Sequence, residues 1–119
     1  MTLSFPRGQY AIVYGSTGGP AGDGISKIIP VDYSQNPFNA SIFVTIASGS
    51  ATYSVQATGD NIQNSAITPN WFTHQALVTQ TTSQADNYAF PVTAVRLQVT
   101  AGSGEVIIEV LQAGITSNG

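Results

Sequence analysis

His74, in "NWFTHQAL", is the first place to look for chemistry, because imidazole serves as a base or metal ligand near neutral pH and the chain has no second histidine. Cysteine is absent, which removes thiolate zinc sites, disulfides and cysteine nucleophiles. A catalytic zinc at His74 would have to draw carboxylates from elsewhere, so a structural or merely exposed histidine is the favoured reading. A Ser-His-Asp triad is assembled in space, and composition leaves it open. Yet G-x-S-x-G does not occur, and nothing points to a particular serine.

Glycosidases need two carboxylates at a set separation. Glu105 and Glu109 share a strand face, but four residues of strand span about 13 Å, at 3.2–3.4 Å each. An inverting pair needs roughly 6.5 to 9.5 Å. Asp23, Asp32, Asp60 and Asp86 lie in or beside predicted loops, where aspartate commonly bonds nearby backbone. "GDN", Gly59 to Asn61, is the candidate contributor to a calcium site built from loop aspartates and carbonyls. The "YGSTGGPAGDG" stretch invites a phosphate-cradle reading, since glycines let backbone N–H groups approach an anion. It has no Gly-Lys-Ser/Thr ending, and the "ISKIIPVDY" that follows reads as strand, so a surface loop is expected. No catalytic residue, cofactor or metal site is assigned, and the chain is not expected to be an enzyme.

The elements that must carry these groups are strands. Period-two alternation and β-branched runs recur between Gly, Pro, Asn and Ser, and no window holds a 3.6-residue apolar stripe. Strands are predicted near 9–14, 25–33, 41–47, 52–58, 71–78, 92–100 and 105–112. Side-chain parity allows two hairpins. With Thr100 opposite Glu105, Val99, Leu97 and Val95 meet Val106, Ile108 and Val110, and Arg96 meets Glu109. With Ser48 to Ala51 turning, Ile46, Val44 and Ile42 meet Tyr53, Val55 and Ala57. Residues 79–90 read as a long connection crossing between sheets. The expectation is an all-β chain, a single jelly-roll-like β-sandwich of seven to eight antiparallel strands over residues 1–119. Residues 1–8 form an expected N-terminal arm and 115–119 an expected mobile tail.

Composition narrows the partners. Only 8% of the residues are charged, the net charge is −3, and the three basic residues Arg7, Lys27 and Arg96 are scattered, so no footprint for phosphates exists and nucleic acid is not expected. The longest apolar runs are strand-length, short of the roughly 20 residues of a membrane helix, and no membrane association is expected. "MTLSFPRGQY" shows no secretory leader, so export is not expected, and the "NAS" sequon at Asn39 is read as chance.

One feature is out of pattern. In "EVIIEVLQAG" the strand is apolar on both faces: Val106, Ile108 and Val110 take one side, while Ile107 and Leu111 share the other with Glu105 and Glu109. Either the chain's own arm or loop covers Ile107 and Leu111, or another subunit does. Fully covering each is worth roughly 1.5–3 kcal/mol.

The segment from Ala51 to Gly114 carries a likeness of its own, in "TYSVQAT" followed by Asp60, in "WFTHQAL", and in "NYAFPVTAVRLQVTAGSGEVIIEVLQAG". It resembles small virion proteins of tailed bacteriophages, most of all the capsid cement or decoration proteins. The resemblance implies a jelly-roll-like sandwich assembled in the host cytoplasm, bound to the outer capsid surface. Its partner would be the major capsid protein, and its state a homo-oligomer, dimer or trimer. Phe5, Pro6, Ile107, Leu111 and Ile115 are then the interface candidates. The alternative is a carbohydrate-binding or adhesion module of a phage surface structure, with Tyr14, Tyr33, Trp71 and Tyr88 as candidates to stack on sugar rings.

Overall fold

The structure, a computed structural model, describes residues 7–33 and 38–112. Eight strands form among them: β1 (Arg7–Tyr14), β2 (Ile29–Pro30), β3 (Ala40–Ser48), β4 (Ala51–Thr58), β5 (Phe72–Thr73), β6 (Gln84–Tyr88), β7 (Ala94–Gly102) and β8 (Glu105–Gln112). They build two four-stranded antiparallel sheets, sheet I in the order β1-β8-β3-β6 and sheet II in the order β2-β7-β4-β5. The pairing is nested: β1 lies against β8, β2 against β7, β3 against β6 and β4 against β5. The chain is thus one long hairpin folded at the β4–β5 loop and rolled up. Two further pairings, β3 with β8 and β4 with β7, close the roll. This is the eight-stranded jelly roll, an all-β sandwich as the alternation predicts.

Alternation decides which side chains enter the core. Ala11, Val13, Ile42, Val44, Val106, Ile108 and Val110 of sheet I face Ile29, Tyr53, Val55, Val95, Leu97 and Val99 of sheet II, all buried in one cluster. Leu77 and Val92, from the connections, are buried with them. At about 25 cal/mol per Å² of apolar surface removed from water, this layer is the main favourable term in folding.

Both predicted hairpins are corrected. β3 and β4 sit in different sheets, as do β7 and β8, so each short connection is an arch spanning the core. Tyr53 pairs with Val99 and Ile46 with Val106, while Arg96 lies opposite Gln56 and far from its expected partner Glu109, which pairs with Tyr10 and Phe43. Parity is the physical reason the two cases look alike. It tells which residues share the apolar side, and an arch folds two such sides onto each other as well as a hairpin lays them side by side.

The arches need glycine. A Cβ on Gly104 would stand 2.5 Å from the Ser48 carbonyl oxygen, and Gly102 has φ +92° with its own Cβ position 2.4 Å from the Ser50 oxygen. Backbone bonds from Gly104 to Ser50 (2.9 Å), Gly15 to Gly104 (2.9 Å) and Ser16 to Gly102 (3.0 Å) knit this end of the roll together.

Four edge segments also depart from prediction. Residues 25–33 give only Ile29–Pro30 as ladder, because the Leu97 N–H donates to the Ser26 hydroxyl (2.9 Å) where a strand would offer a carbonyl. Residues 71–78 give only Phe72–Thr73: a turn between His74 and Leu77 bulges the strand away from β4 before Gln80 pairs again with Tyr53. The expected crossing at 79–90 does pass between sheets but contains β6. β1, finally, starts at Arg7, inside the expected arm.

Candidate interaction surface

The outer face of sheet I is the surface the last strand pointed to. β8 lies at its centre, so the register reads off a grid. Ile107 stands between Ile12 of β1 and Thr45 of β3; Glu109 stands between Tyr10 and Phe43; Leu111 stands beside Ser41; and Glu105 stands beside Tyr14. Ile107, Leu111 and Ile12 are half-buried by these neighbours, whereas Tyr10 (60%), Tyr14 (64%) and Phe43 (42%) are exposed. No second layer of strands lies over this face among the described residues. Scattered exposed apolar groups are ordinary on protein surfaces; three exposed and three half-buried ones gathered on one sheet face are the kind of patch that marks a contact.

Of the interface candidates, Ile107 and Leu111 are thus brought together on this face, and Phe5, Pro6 and Ile115 lie outside the described residues. Tyr10, Ile12 and Phe43 were not singled out from the sequence, and Tyr14 was singled out only as a candidate to stack on a sugar. The signal was there: "QYAIVY" and "SIFVTI" put large apolar residues on both parities, as "EVIIEVL" does.

His74 is chemically engaged. The Ala76 N–H donates to Nδ1 (3.0 Å), which fixes the proton on Nε2, and Nε2 then donates to the carbonyl oxygen of Asn87 (2.9 Å). Asp86 Oδ1 lies 3.8 Å from Nε2 and accepts the Asn87 N–H at 2.8 Å. The ring also meets Tyr88 edge-on at 4.8 Å. With both ring nitrogens engaged, His74 clasps the outer edge of β6 and its imidazole has no free lone pair to offer a substrate. Among the described residues no three His, Asp or Glu side chains gather as for a metal ion.

The other candidates are distributed as loop anchors. Asp60 Oδ2 accepts the Asn70 N–H (2.7 Å) and the Thr58 hydroxyl (3.4 Å), which ties down the 59–71 loop of the calcium candidate "GDN". Asp23 accepts the Ile25 N–H at 3.1 Å. On the outer face of sheet II, Arg96 donates from Nε to Gln56 Oε1 (2.7 Å) and stacks over Trp71 at 4.4 Å; its partial burial lowers its pKa, and Asp23 opposes that shift. Of the four sugar-stacking candidates, Tyr88 is buried, Trp71 is occupied by Arg96, Tyr14 lies at the margin of the sheet I face, and Tyr33 lines a cleft of about 510 Å³ with Asn61, Gln63 and Pro91.

No protein family, curated protein or solved structure matches this chain. The surface itself therefore carries the functional argument.

Proposed function

We propose that the chain is a non-enzymatic structural protein of a bacteriophage virion, a cement or decoration protein that binds the major capsid protein from outside and reinforces the shell. The observation that carries this reading is the outer face of sheet I, where Tyr10, Ile12, Tyr14, Phe43, Ile107 and Leu111 lie contiguous on a stiff four-stranded support. A sheet face rich in apolar side chains suits a protein whose task is to cover area on a neighbour. Roughly 800 Å² per partner is the ordinary size of a stable contact. Jelly rolls serve in viral shells and in lectins alike, so the fold is compatible with the reading without selecting it. A homo-oligomer on the shell would add retention through multivalency.

The test is co-sedimentation of the purified chain with emptied or expanded shells of the phage that encodes it. Saturable binding, abolished by Ile107→Asp, supports the reading. Absence of binding to any such shell overturns it.

The cleft beside Tyr33 favours a second reading, a carbohydrate-binding module. Its exposed ring (63%) and the Asn61 and Gln63 amides could hold a sugar by stacking and hydrogen bonds. Glycan-array binding lost in Tyr33→Ala would support it.

A further inference from the structure

We infer that the outer face of sheet I is built to receive an arginine-bearing protein surface and not a second copy of this chain, an inference that rests on the docking reading above. Glu109 occupies the middle of the patch, with Tyr10 on one side, Phe43 on the other, and Ile107 and Leu111 two positions before and after it on β8. Any surface that covers these four apolar side chains must cover the carboxylate too. A carboxylate taken out of water without a cation costs more than the burial of one isoleucine returns.

No described cation of this chain stands on the patch itself. Arg96 is on the opposite sheet, bonded to Gln56 and stacked on Trp71, and Lys27 lines the grooves beyond the outer edge of β1 with Tyr10, Ile12 and Pro30. Neither Glu105 nor Glu109 makes an ion-pair contact among the described residues. Two copies meeting face to face about a twofold axis would bring Glu105 and Glu109 of each toward those of the other, in a chain whose net charge is already −3. Like charges placed together in a closing interface select against that partner.

The aromatic flanks say which cation fits. A guanidinium is planar, pairs with a carboxylate through two parallel N–H bonds and stacks on aromatic rings, whereas an ammonium does neither as well. Glu109 between Tyr10 and Phe43 offers both contacts at once.

The experiment is quantitative shell binding by the full chain and its Glu109→Gln and Glu109→Lys variants over a salt series, with sedimentation equilibrium of the wild type and Ile107→Asp. Glu109 is exposed, so thermal melts of both Glu109 variants should match the wild type and fold is controlled. Expected are a loss of about tenfold for Glu109→Gln with a flatter salt dependence, and of about a hundredfold or more for Glu109→Lys. Wild-type affinity in both Glu109 variants, with binding still abolished by Ile107→Asp, overturns the arginine inference and leaves the docking reading standing. Self-association of the wild type that Ile107→Asp abolishes makes the occupant a second copy and overturns the inference. Failure of the wild type to bind any shell overturns both.

Discussion

Thr79 holds its backbone at φ +46° while its N–H donates to the buried Ser54 hydroxyl at 2.9 Å. The strained residue is how the bulged edge beside β4 returns to register, one position before Gln80 pairs with Tyr53. A β-branched residue in the left-handed region costs roughly 1–3 kcal/mol, and the bond to Ser54 uses only the backbone. Thr79→Asn, which tolerates this conformation, is therefore expected to stabilise the protein by about 0.5–1 kcal/mol, read as a higher thermal midpoint. An unchanged or lower midpoint would show that the threonine side chain contributes packing that outweighs the strain.

His74 gives the opposite expectation. Replacing it by phenylalanine keeps a ring against Tyr88 but abandons the Asn87 carbonyl and the Ala76 N–H. The cost is about 1–3 kcal/mol in urea unfolding, with faster amide exchange at residue 76. Full stability of His74→Phe would mean that water serves the edge as well as the imidazole does.

The two buried tyrosines predict alkaline lability. Burial pushes the Tyr53 phenol up to about 12, and burial together with the nearby Asp86 charge pushes Tyr88 further up. In the unfolded chain both ionise near 10. The folded state thus binds more protons above that point, so stability is complete below about pH 10 and falls as pH rises through 12. Phenolate absorbance from these two residues should appear together with loss of the fold.

The same two residues separate a bonded hydroxyl from an orphan. Tyr53 donates to the Thr82 carbonyl at 2.7 Å, whereas the buried Tyr88 hydroxyl has no hydrogen-bond partner among the described residues. Tyr53→Phe should cost about 1 kcal/mol at neutral pH, and Tyr88→Phe should be neutral or stabilising, both measured by denaturant midpoints at equal slope.

Glycine positions make a paired test. Gly104→Ala forces a methyl group to within 2.5 Å of the Ser48 carbonyl and 2.9 Å of the Ser50 backbone, and is expected to cost at least about 2 kcal/mol. At Gly59 a Cβ meets nothing within 4 Å, and Gly59→Ala should lie within about 0.5 kcal/mol of wild type or above it.

What the sequence revealed follows from the range of the forces that place each residue. Val106, Ile108 and Val110 announce a buried face by alternation alone, and the strand class and roll-like architecture follow from many such local patterns. Whether Leu97 lies beside Ile108 or across from it depends on where β3 and β1 go, which no local pattern encodes. The break at His74–Leu77 was hidden for a related reason: "FTHQALVTQ" alternates well enough for a strand, and the bulge is set by contacts with β4 and β6. Ile107 and Leu111 were legible because they violate the pattern, while Tyr10 and Phe43 only gain meaning once β1 and β3 flank β8.

That flanking position of β8 also sets an order of events at the ribosome. Sheet II has all its strands by residue 102, but until residues 105–112 emerge, β1 has no neighbour and β3 has only β6. Of the described strands β8 is made last and is the keystone of its sheet, so until it emerges the nascent chain carries half a sandwich with its greasy inner side open to water. Such non-local pairing is expected to make the sandwich fold slowly and late.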